Sequence, residues 1–245
     1  MKKIIKSLLS QFSYKNPKKS FHEELQKKID YKFNSSDLLK AALTHTSINS
    51  SNSKSSPFER MEFLGDSILG LIVAEELFLK YPDSPEGNLS KIKSKIVSQK
   101  FLTIKAKEIN LGDYLLLSSE AIQDGGKKLP SILSDAMESL ICAIYLDGNI
   151  GFARKFIKDF ILLNFEKFIK SDEMTNYKSI LQEYTQSRFQ NIPKYKIVSE
   201  KGPDHNKIFT IKVFINDELF GEGKGANKKE AQQNAAKVAC LKLKI

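Results

Sequence analysis

The chain has 245 residues, a length that accommodates two domains, and 41% of them are hydrophobic, enough to build folded cores. Its two cysteines, Cys142 and Cys240, are far apart in the sequence, which excludes a disulfide framework and a CxxC zinc site and fits a reducing compartment. No apolar run reaches the ~20 residues that a membrane-spanning helix requires. The N-terminal stretch has no small-residue cleavage site, so we expect no signal peptide and a cytoplasmic protein.

Positive charge is concentrated at the two ends of the sequence. The net charge is +10, with a balance of +6 in residues 1–28, zero in residues 29–170 and +4 in residues 171–245. Basic ends around a neutral body favour a protein whose ends bind a polyanion while the body has another task. Charge alone does not exclude the simpler explanation, which is solubility.

The predicted elements of the first 170 residues are helical. Residues 1–20 are expected to form a basic, loosely ordered arm. From residue 21 to residue 169 the apolar residues recur at helical spacing, and few stretches alternate with period two, so we expect an all-α domain. Turn-forming stretches separate its helices, at residues 49–57, 81–88 and 123–130. Residues 170–176 are polar and are expected to form a linker.

The pattern changes in residues 177–245, where a small α+β domain is expected. A helical segment comes first, three segments that alternate like strands follow, and a second helix closes the chain. The segments are 177–189, 194–200, 207–215, 218–224 and 227–244. Asn227 is placed to cap the last helix. The predicted order is therefore α-β-β-β-α.

Three carboxylates lie on one side of a predicted helix in the body. Glu59, Glu62 and Asp66 stand at i, i+3 and i+7, within an arc of roughly 60°. The apolar residues expected to face the core from the opposite side are Met61, Leu64, Ile68 and Leu71. An ordinary amphipathic helix with a solvated acidic side explains this pattern equally well.

A second acidic pair lies in a helix that is apolar nearly all round. Asp135 and Glu138 stand at i and i+3, and no Lys or Arg lies within a turn or two of them. Buried carboxylates are costly unless they are paired or bound to a cation. Either a distant Arg or helix N-terminus partners each acid, or the two helices pool their acids around divalent cations. All-oxygen ligands favour Mg²⁺ or Mn²⁺, and such a cluster is suited to phosphodiester hydrolysis.

Several motifs resemble those of the ribonuclease III family. The segment ERMEFLGDS at 59–67 is similar to the nuclease motif of this family, and LSDAMESLICAIYLDG at 133–148 is similar to its second acidic helix. Further similar segments are LTHTS at 43–47, EGNLSKIKSKIVS at 86–98 and LGDYLLLSSEAIQDGGKKLPSIL at 111–133. The resemblance extends from about residue 21 onward and implies an all-α endonuclease domain.

The resemblance also implies roles for individual residues. Those that would hold Mg²⁺, for which Mn²⁺ would substitute, are Glu62, Asp66, Asp135 and Glu138. Asp66 and Glu138 would be most directly tied to catalysis, and Glu59 and Glu86 would be outer members that position RNA or water. The family acts as a homodimer, which would place Phe63 and Gly65 in contact between two copies. The implied products of duplex RNA cleavage have 5′-phosphate and 3′-hydroxyl ends with a short 3′ overhang.

Two positions depart from the family pattern. Phe58 stands where the family usually has Asn before the first Glu, and Lys93 replaces a family Arg. Lys lacks the bidentate fork of Arg, so phosphate contacts near Lys93 are expected to differ. Neither departure touches the four carboxylates implied as metal ligands.

The C-terminal α-β-β-β-α segment resembles a double-stranded RNA-binding domain. Lys228 and Lys229 lie in the first turn of its last helix, where cations are unfavourable unless a phosphate sits against them; a solvated charge pair is the alternative. The residues expected to contact RNA are Gln182, Glu183, Gln186, Pro203, His205, Asn227, Lys228 and Lys229. Solvent exposure alone also explains the acid and the two glutamines of the first helix.

Two other functions remain open at the level of sequence. A non-catalytic RNA-binding protein would keep the fold, but such proteins typically lose acidic ligands, and all four are present here. A DNA-directed nuclease is disfavoured by the C-terminal segment. The prediction is a homodimeric Mg²⁺-dependent enzyme that cuts double-stranded RNA in ribosomal RNA precursors and other structured transcripts.

Overall fold

The computed structural model describes residues 19–48, 56–169, 175–203 and 207–245, and the chain divides into two compact units between residues 174 and 175. Almost all of the expected N-terminal arm, most of the first loop and of the linker, and His205 lie outside the described residues. The first unit is helical and the second has the order α-β-β-β-α, so the predicted fold class is confirmed. None of the described helices is long and apolar enough to cross a membrane.

The first unit is built from helices joined by short turns. Its α-helices are α1 (Lys19–Lys28), α2 (Ser36–Leu43), α3 (Pro57–Lys80), α4 (Glu86–Ile96), α5 (Gln99–Glu108), α6 (Ser119–Gln123), α7 (Pro130–Asp147), α8 (Ile150–Phe156) and α9 (Phe165–Ile169). Short 3₁₀ turns occupy Thr46–Ile48, Leu111–Tyr114 and Gly126–Lys128, and α8 continues into a π-helical turn at Ile157–Ile161.

Helix α7 is the centre of the first unit. Its residues Met137, Leu140 and Ile141 have no exposed surface, and α2, α3 and α5 all pack against it. A helix that is apolar nearly all round has this place in a fold because it buries every face. Its two acidic residues, Asp135 and Glu138, are half-buried, in contrast to the fully buried apolar residues around them.

The C-terminal end of α7 is tied to the segment that precedes α2. The Asp147 carboxylate accepts hydrogen bonds from the Tyr31 hydroxyl at 2.9 Å, the Asn34 amide at 2.9 Å and the Ser35 amide at 2.8 Å. We expect Asp147→Ala to lower the free energy of unfolding of this unit by about 2–3 kcal/mol, because several donors lose a charged acceptor. Urea unfolding followed by circular dichroism measures the loss. Asp147→Asn keeps one accepting oxygen and should lose less; equal losses would contradict this explanation.

The second unit is a three-stranded antiparallel sheet covered by two helices. Its elements are α10 (Tyr177–Phe189), β1 (Lys194–Lys201), β2 (Ile208–Ile215), β3 (Glu218–Gly225) and α11 (Lys228–Leu243). The strand order is β1-β2-β3, with a bulge in the β1–β2 pairing and another in the β2–β3 pairing. All three predicted strands and both predicted helices are confirmed. Cys240 of α11 and Cys142 of α7 are both buried and free.

Helix α11 lies directly on the backbone of β3. A Cβ atom added at Gly223 would come 2.1 Å from the Ala235 amide nitrogen, and one added at Gly221 would come 2.4 Å from the Ala235 carbonyl oxygen. The residues of α11 that face the sheet are small and fully buried: Ala231, Ala235, Ala236 and Ala239. Small residues on both sides permit this close approach of helix and strand.

Candidate metal centre and nucleic-acid interface

The acidic residues of α3 and α7 meet because the two helix backbones touch. Gly65 of α3 is buried, and a Cβ atom added to it would lie 1.8 Å from the carbonyl oxygen of Glu138 in α7. Glu62 lies one turn before Gly65 on α3 and is therefore carried alongside Glu138. Within one chain Gly65 is therefore a packing glycine, a role that is compatible with the contact between two copies that was predicted for it.

Three of the four predicted metal ligands form a compact cluster. Glu62, Asp135 and Glu138 each offer a carboxylate oxygen, and these oxygens lie within 4.8 Å of one another. All three side chains are half-buried. Asp66 is exposed and is not a member of this group of three, although its negative charge acts on both Glu62 and Glu138. Asp66 therefore lies beside the cluster, on its solvent side.

Burial and mutual repulsion disturb the titration of the cluster. Burial, with the charges of Asp66, Glu62 and Asp135, raises the pKa of Glu138 to about 8. Burial is also the largest cause that raises the pKa of Glu62, and neighbouring carboxylates add to it. The pKa of Asp135 is raised by burial, an effect that the Ser134 hydroxyl partly opposes by donating a hydrogen bond of 3.1 Å to it. Without a bound cation, keeping these carboxylates ionised therefore raises the free energy of the folded protein.

The cluster fits a hard divalent cation. No ion pair in the described parts of the chain joins a Lys or Arg to any of its members. The donor atoms are all carboxylate oxygens, the set that Mg²⁺ and Mn²⁺ prefer over zinc. A cation would remove the repulsion that raises the pKa of Glu138, because an adjacent positive charge favours the ionised carboxylate.

The raised pKa of Glu138 gives a pH dependence that can be measured. Its folded-state pKa of about 8 exceeds the ~4.3 of an unfolded Glu. The group therefore contributes stability that is full below about pH 4 and is lost as pH rises through 8. Without divalent cations, we expect the free energy of unfolding to fall between pH 5.5 and pH 8.5 more in wild type than in Glu138→Gln. Urea unfolding in EDTA tests this, and parallel pH profiles would contradict it.

The outer residues near the start of α3 and α4 have varied surroundings. Glu59 is exposed in the first turn of α3. Glu86 lies in the first turn of α4, where its carboxylate accepts a hydrogen bond of 2.6 Å from the Ser90 hydroxyl.

Leu71 was expected to face the core but is 59% exposed. It lies seven residues before the exposed Phe78, on the solvent side of α3, so that expectation was wrong.

The two departures from the family pattern are both packed into the unit. Phe58 is buried, and its ring lies edge-to-face on His45 with 5.4 Å between ring centroids. Lys93 is half-buried, with its stem beside Gly70 of α3.

His45 was not singled out by sequence reasoning, because the three histidines do not cluster along the chain. Its place in the LTHTS segment was the only signal that could have found it.

An exposed aromatic residue stands beside an apolar cavity on α3. Phe63 is 77% exposed. The neighbouring cavity has a volume of about 440 Å³ and is lined by Glu59, Arg60, Met61, Phe63, Leu64, Cys142 and Leu146. Burial raises the pKa of the Cys142 thiol to about 12, so it is a neutral apolar wall and not a nucleophile.

The predicted RNA-binding residues of α10 are all on its surface. Gln182, Glu183 and Gln186 are exposed, and Pro203 is exposed after the end of β1. The buried side of α10 carries Leu181 and Thr185. The four exposed residues belong to the second unit and are available to a ligand, whereas His205 lies outside the described residues.

The N-terminus of α11 is capped as the sequence predicted. The Asn227 side chain accepts a hydrogen bond of 2.9 Å from the Glu230 amide. Lys229 is exposed, whereas Lys228 forms an ion pair of 3.6 Å with Glu200 of β1 and lies over the Phe209 ring. Sequence reasoning treated the two lysines alike, because it could not show that β1 ends beside this helix.

The helical unit carries a cluster of carboxylates, and the α-β-β-β-α unit carries two lysines in the first turn of its last helix. This combination is typical of a two-domain nuclease that binds duplex nucleic acid. A family model described as ribonuclease-III-like matches residues 35–165, and a double-stranded RNA binding motif matches residues 177–243. The chain belongs to the ribonuclease III family. Membership with this motif implies an endoribonuclease that acts on double-stranded RNA.

Relatives of known name support this assignment over nearly the whole chain. Ribonuclease 3 of Borreliella afzelii is 39% identical, over 94% of this chain and 94% of the relative. Ribonuclease 3 of Aliarcobacter butzleri is 41% identical, over 92% and 99% respectively. Among solved structures, the ribonuclease III nuclease domain of Campylobacter jejuni is 42% identical with a TM-score of 0.55, and the match covers 59% of this chain and 98% of that one.

Proposed function

We propose that the chain is a Mg²⁺-dependent endonuclease that hydrolyses both strands of duplex RNA, leaving 5′-phosphate and 3′-hydroxyl ends with a short 3′ overhang. The observation that carries the proposal is the meeting of Glu62, Asp135 and Glu138 from two helices without a basic partner among the described residues. Its duties would be the processing of ribosomal RNA precursors and other structured transcripts in the cytoplasm.

The metal ligands would come from both helices. They are Glu62, Asp66, Asp135 and Glu138, with Mn²⁺ able to replace Mg²⁺. When bound, the cation supplies Lewis acidity toward phosphate oxygens and lowers the pKa of water. Asp66 is exposed and would face the RNA, whereas the half-buried Glu138 would release its proton as the cation binds. Glu59, exposed one turn before Glu62, would position RNA or water.

The backbone contact between α3 and α7 would keep the carboxylates at their spacing. Because Gly65 rests on the Glu138 carbonyl, the two helices cannot slide apart without losing core contacts. The acids are therefore held together before a cation arrives. Such preorganisation lowers the cost of assembling the site during each catalytic cycle.

The two ends of the chain would contribute RNA binding. We assign residues 1–20 to a basic arm, 21–169 to the nuclease domain, 170–176 to a linker and 177–245 to the RNA-binding domain. Exposed Gln182, Glu183 and Gln186 of α10 would bond 2′-hydroxyls, which distinguish RNA from DNA. His205, beside Pro203 in the loop between strands, would reach the minor groove. Lys228 and Lys229, beside the Asn227 cap, would face a phosphate.

A homodimer through the nuclease domain would complete the enzyme. Phe63 is 77% exposed and lies beside an apolar cavity. An exposed aromatic side chain next to an apolar surface favours a contact with another protein chain. Two copies related by a two-fold axis would each place Phe63 in the cavity of the other. The similar Campylobacter jejuni nuclease domain is described with a region involved in dimer formation.

We expect Phe63→Asp to convert the dimer into a monomer, because a charge would have to enter the apolar cavity of the other copy. Sedimentation velocity measures the change from the mass of two chains to that of one. Leu241→Asp is the matched control, since Leu241 is 65% exposed but belongs to the second unit. A Phe63→Asp protein that stays dimeric would place the interface elsewhere.

The function itself is tested with a long, uniformly labelled RNA duplex in Mg²⁺, in Mn²⁺ and in EDTA. We expect short duplex products only with a divalent cation, and end analysis should find 5′-phosphates. Single-stranded RNA and duplex DNA of the same sequence serve as controls. Tight binding without cleavage would favour a non-catalytic RNA-binding protein, and equal cleavage of DNA would favour a nuclease without RNA specificity.

A further inference from the structure

The segment Leu43–Ser47 is anchored by backbone hydrogen bonds, and the ring contact of His45 with Phe58 places it beside the first turn of α3. The Leu116 amide donates to the Leu43 carbonyl at 2.8 Å, and the His45 amide donates to the Leu116 carbonyl at 3.0 Å. The Ser118 amide adds a bond of 3.1 Å to the Ser47 hydroxyl. The backbone on both sides of His45 is therefore fixed.

The imidazole ring of His45 is also fixed, and with it the position of its proton. Nδ1 of the ring accepts a hydrogen bond of 3.1 Å from the Ser47 amide. A neutral imidazole that accepts at Nδ1 carries its hydrogen on Nε2. The edge-to-face contact with Phe58 holds the plane of the ring. His45 thus presents one N–H donor in a defined direction.

The surroundings of His45 are acidic, yet the ring is neutral near pH 7. Burial is the largest cause that lowers the pKa of His45, and the charges of Asp135 and Glu59 only partly oppose it. The ring is half-buried, so it remains within reach of a ligand. A phenyl ring would pack on Phe58 equally well but could not accept the hydrogen bond of the Ser47 amide. Those two contacts account for the ring and for Nδ1, and they do not account for the donor at Nε2.

We propose that the Nε2–H of His45 donates a hydrogen bond to a phosphate oxygen of duplex RNA at the edge of the carboxylate cluster. The inference rests on the proposed function and adds an RNA contact to it. Carboxylates repel a phosphate, so a donor is needed beside them. Lys or Arg in this place would pair with Asp135 and compete with the cation, whereas a neutral N–H donates without doing so.

The first test observes the ring itself and does not depend on cleavage. The chain has three histidines, so ¹⁵N-histidine labelling gives a simple NMR spectrum, and His45→Gln identifies the signals of His45. The free protein should show the Nε2–H tautomer. With a short RNA duplex in Ca²⁺, a slowly exchanging Nε2 proton should appear. An unchanged His45 spectrum in the saturated complex would overturn the proposal, even if the enzyme cuts RNA.

The second test separates an RNA contact from a structural role. His45→Phe keeps the ring contact with Phe58, and His45→Gln keeps an N–H donor. We expect single-turnover cleavage to fall about 10- to 100-fold in His45→Phe, from the loss of one charged hydrogen bond, and to recover largely in His45→Gln. His45→Phe also removes the acceptor of the Ser47 amide, so its melting temperature should fall slightly, whereas His45→Gln can keep an acceptor there and should melt close to wild type. The increase of melting temperature with Mg²⁺ should match wild type in both variants.

Other results would overturn the proposal in identifiable ways. Equal losses in both variants with lower melting temperatures would make His45 a structural residue. A lost Mg²⁺ effect on melting in His45→Phe would mean that it acts through Asp135 on the cation. Wild type without cleavage would refute the proposed function, while the NMR result would still decide the contact with RNA.

Discussion

Glu138→Gln should reduce the cleavage of duplex RNA on the order of 10³-fold or more, because it removes a carboxylate from the cluster that we propose as the metal site. Gln has nearly the same shape as Glu, and the helix backbone at this position contacts Gly65 in either case. The affinity for duplex RNA should remain within a few-fold of wild type. Single-turnover cleavage and filter binding in Ca²⁺ measure the two quantities separately.

A matched control comes from the other side of the same unit. Glu166 is a half-buried carboxylate that pairs with Lys80, away from the cluster. Glu166→Gln should leave cleavage unchanged while slightly lowering stability, as expected for a partly exposed ion pair. Retained cleavage in Glu138→Gln would show that the three pooled carboxylates are not the catalytic centre. The exposed Asp66 and Glu59 would then be the remaining candidates among the predicted catalytic residues.

Gly65→Ala should cost at least about 3 kcal/mol of stability, because its methyl group would occupy the position of the Glu138 carbonyl. The two helix backbones must separate before the side chain fits. Separation would also move Glu62 away from Glu138, so any folded fraction should bind Mg²⁺ weakly. Urea unfolding measures the first effect, and the increase of melting temperature with Mg²⁺ measures the second.

Gly87→Ala is the control for this substitution. Gly87 lies in the first turn of α4, and nothing is within 4 Å of a Cβ atom added there. Ala has the higher helix propensity, so Gly87→Ala should be neutral or slightly stabilising. If Gly65→Ala were equally neutral, the close contact between α3 and α7 would not hold the cluster together.

The fold could be predicted from periodicity because each element has a distinct repeat. The strands of the second unit alternate, Asn227 stands where a cap is needed, and the all-round apolar α7 is the buried central helix. The meeting of Glu62 with Asp135 and Glu138 followed from the cost of burying unpaired carboxylates. Each of these predictions depended on residues within one element, or on a charge that had to be compensated.

What escaped prediction depends on which elements touch. The close contact of Gly65 with the Glu138 carbonyl depends on the crossing of α3 and α7, which spacing along the chain does not show. The pairing of Lys228 with Glu200 needs the end of β1 beside α11, and spacing along the chain does not contain that information. The segment around His45 is held by residues about 71 positions away in the sequence, at Leu116–Ser118, and the sequence alone does not show that pairing.

The contact of Gly221 and Gly223 in β3 with the alanines of α11 fixes the distance between this strand and the helix. Ordinary helix–sheet interfaces adjust their spacing when a large side chain changes rotamer or is replaced. At Gly221 and Gly223 the spacing is set by backbone atoms, which cannot be compressed or repacked. The distance from the start of α11 to the far strands is therefore constant. Substitutions on the outer face of α11 should therefore leave the spacing between this helix and the sheet unchanged.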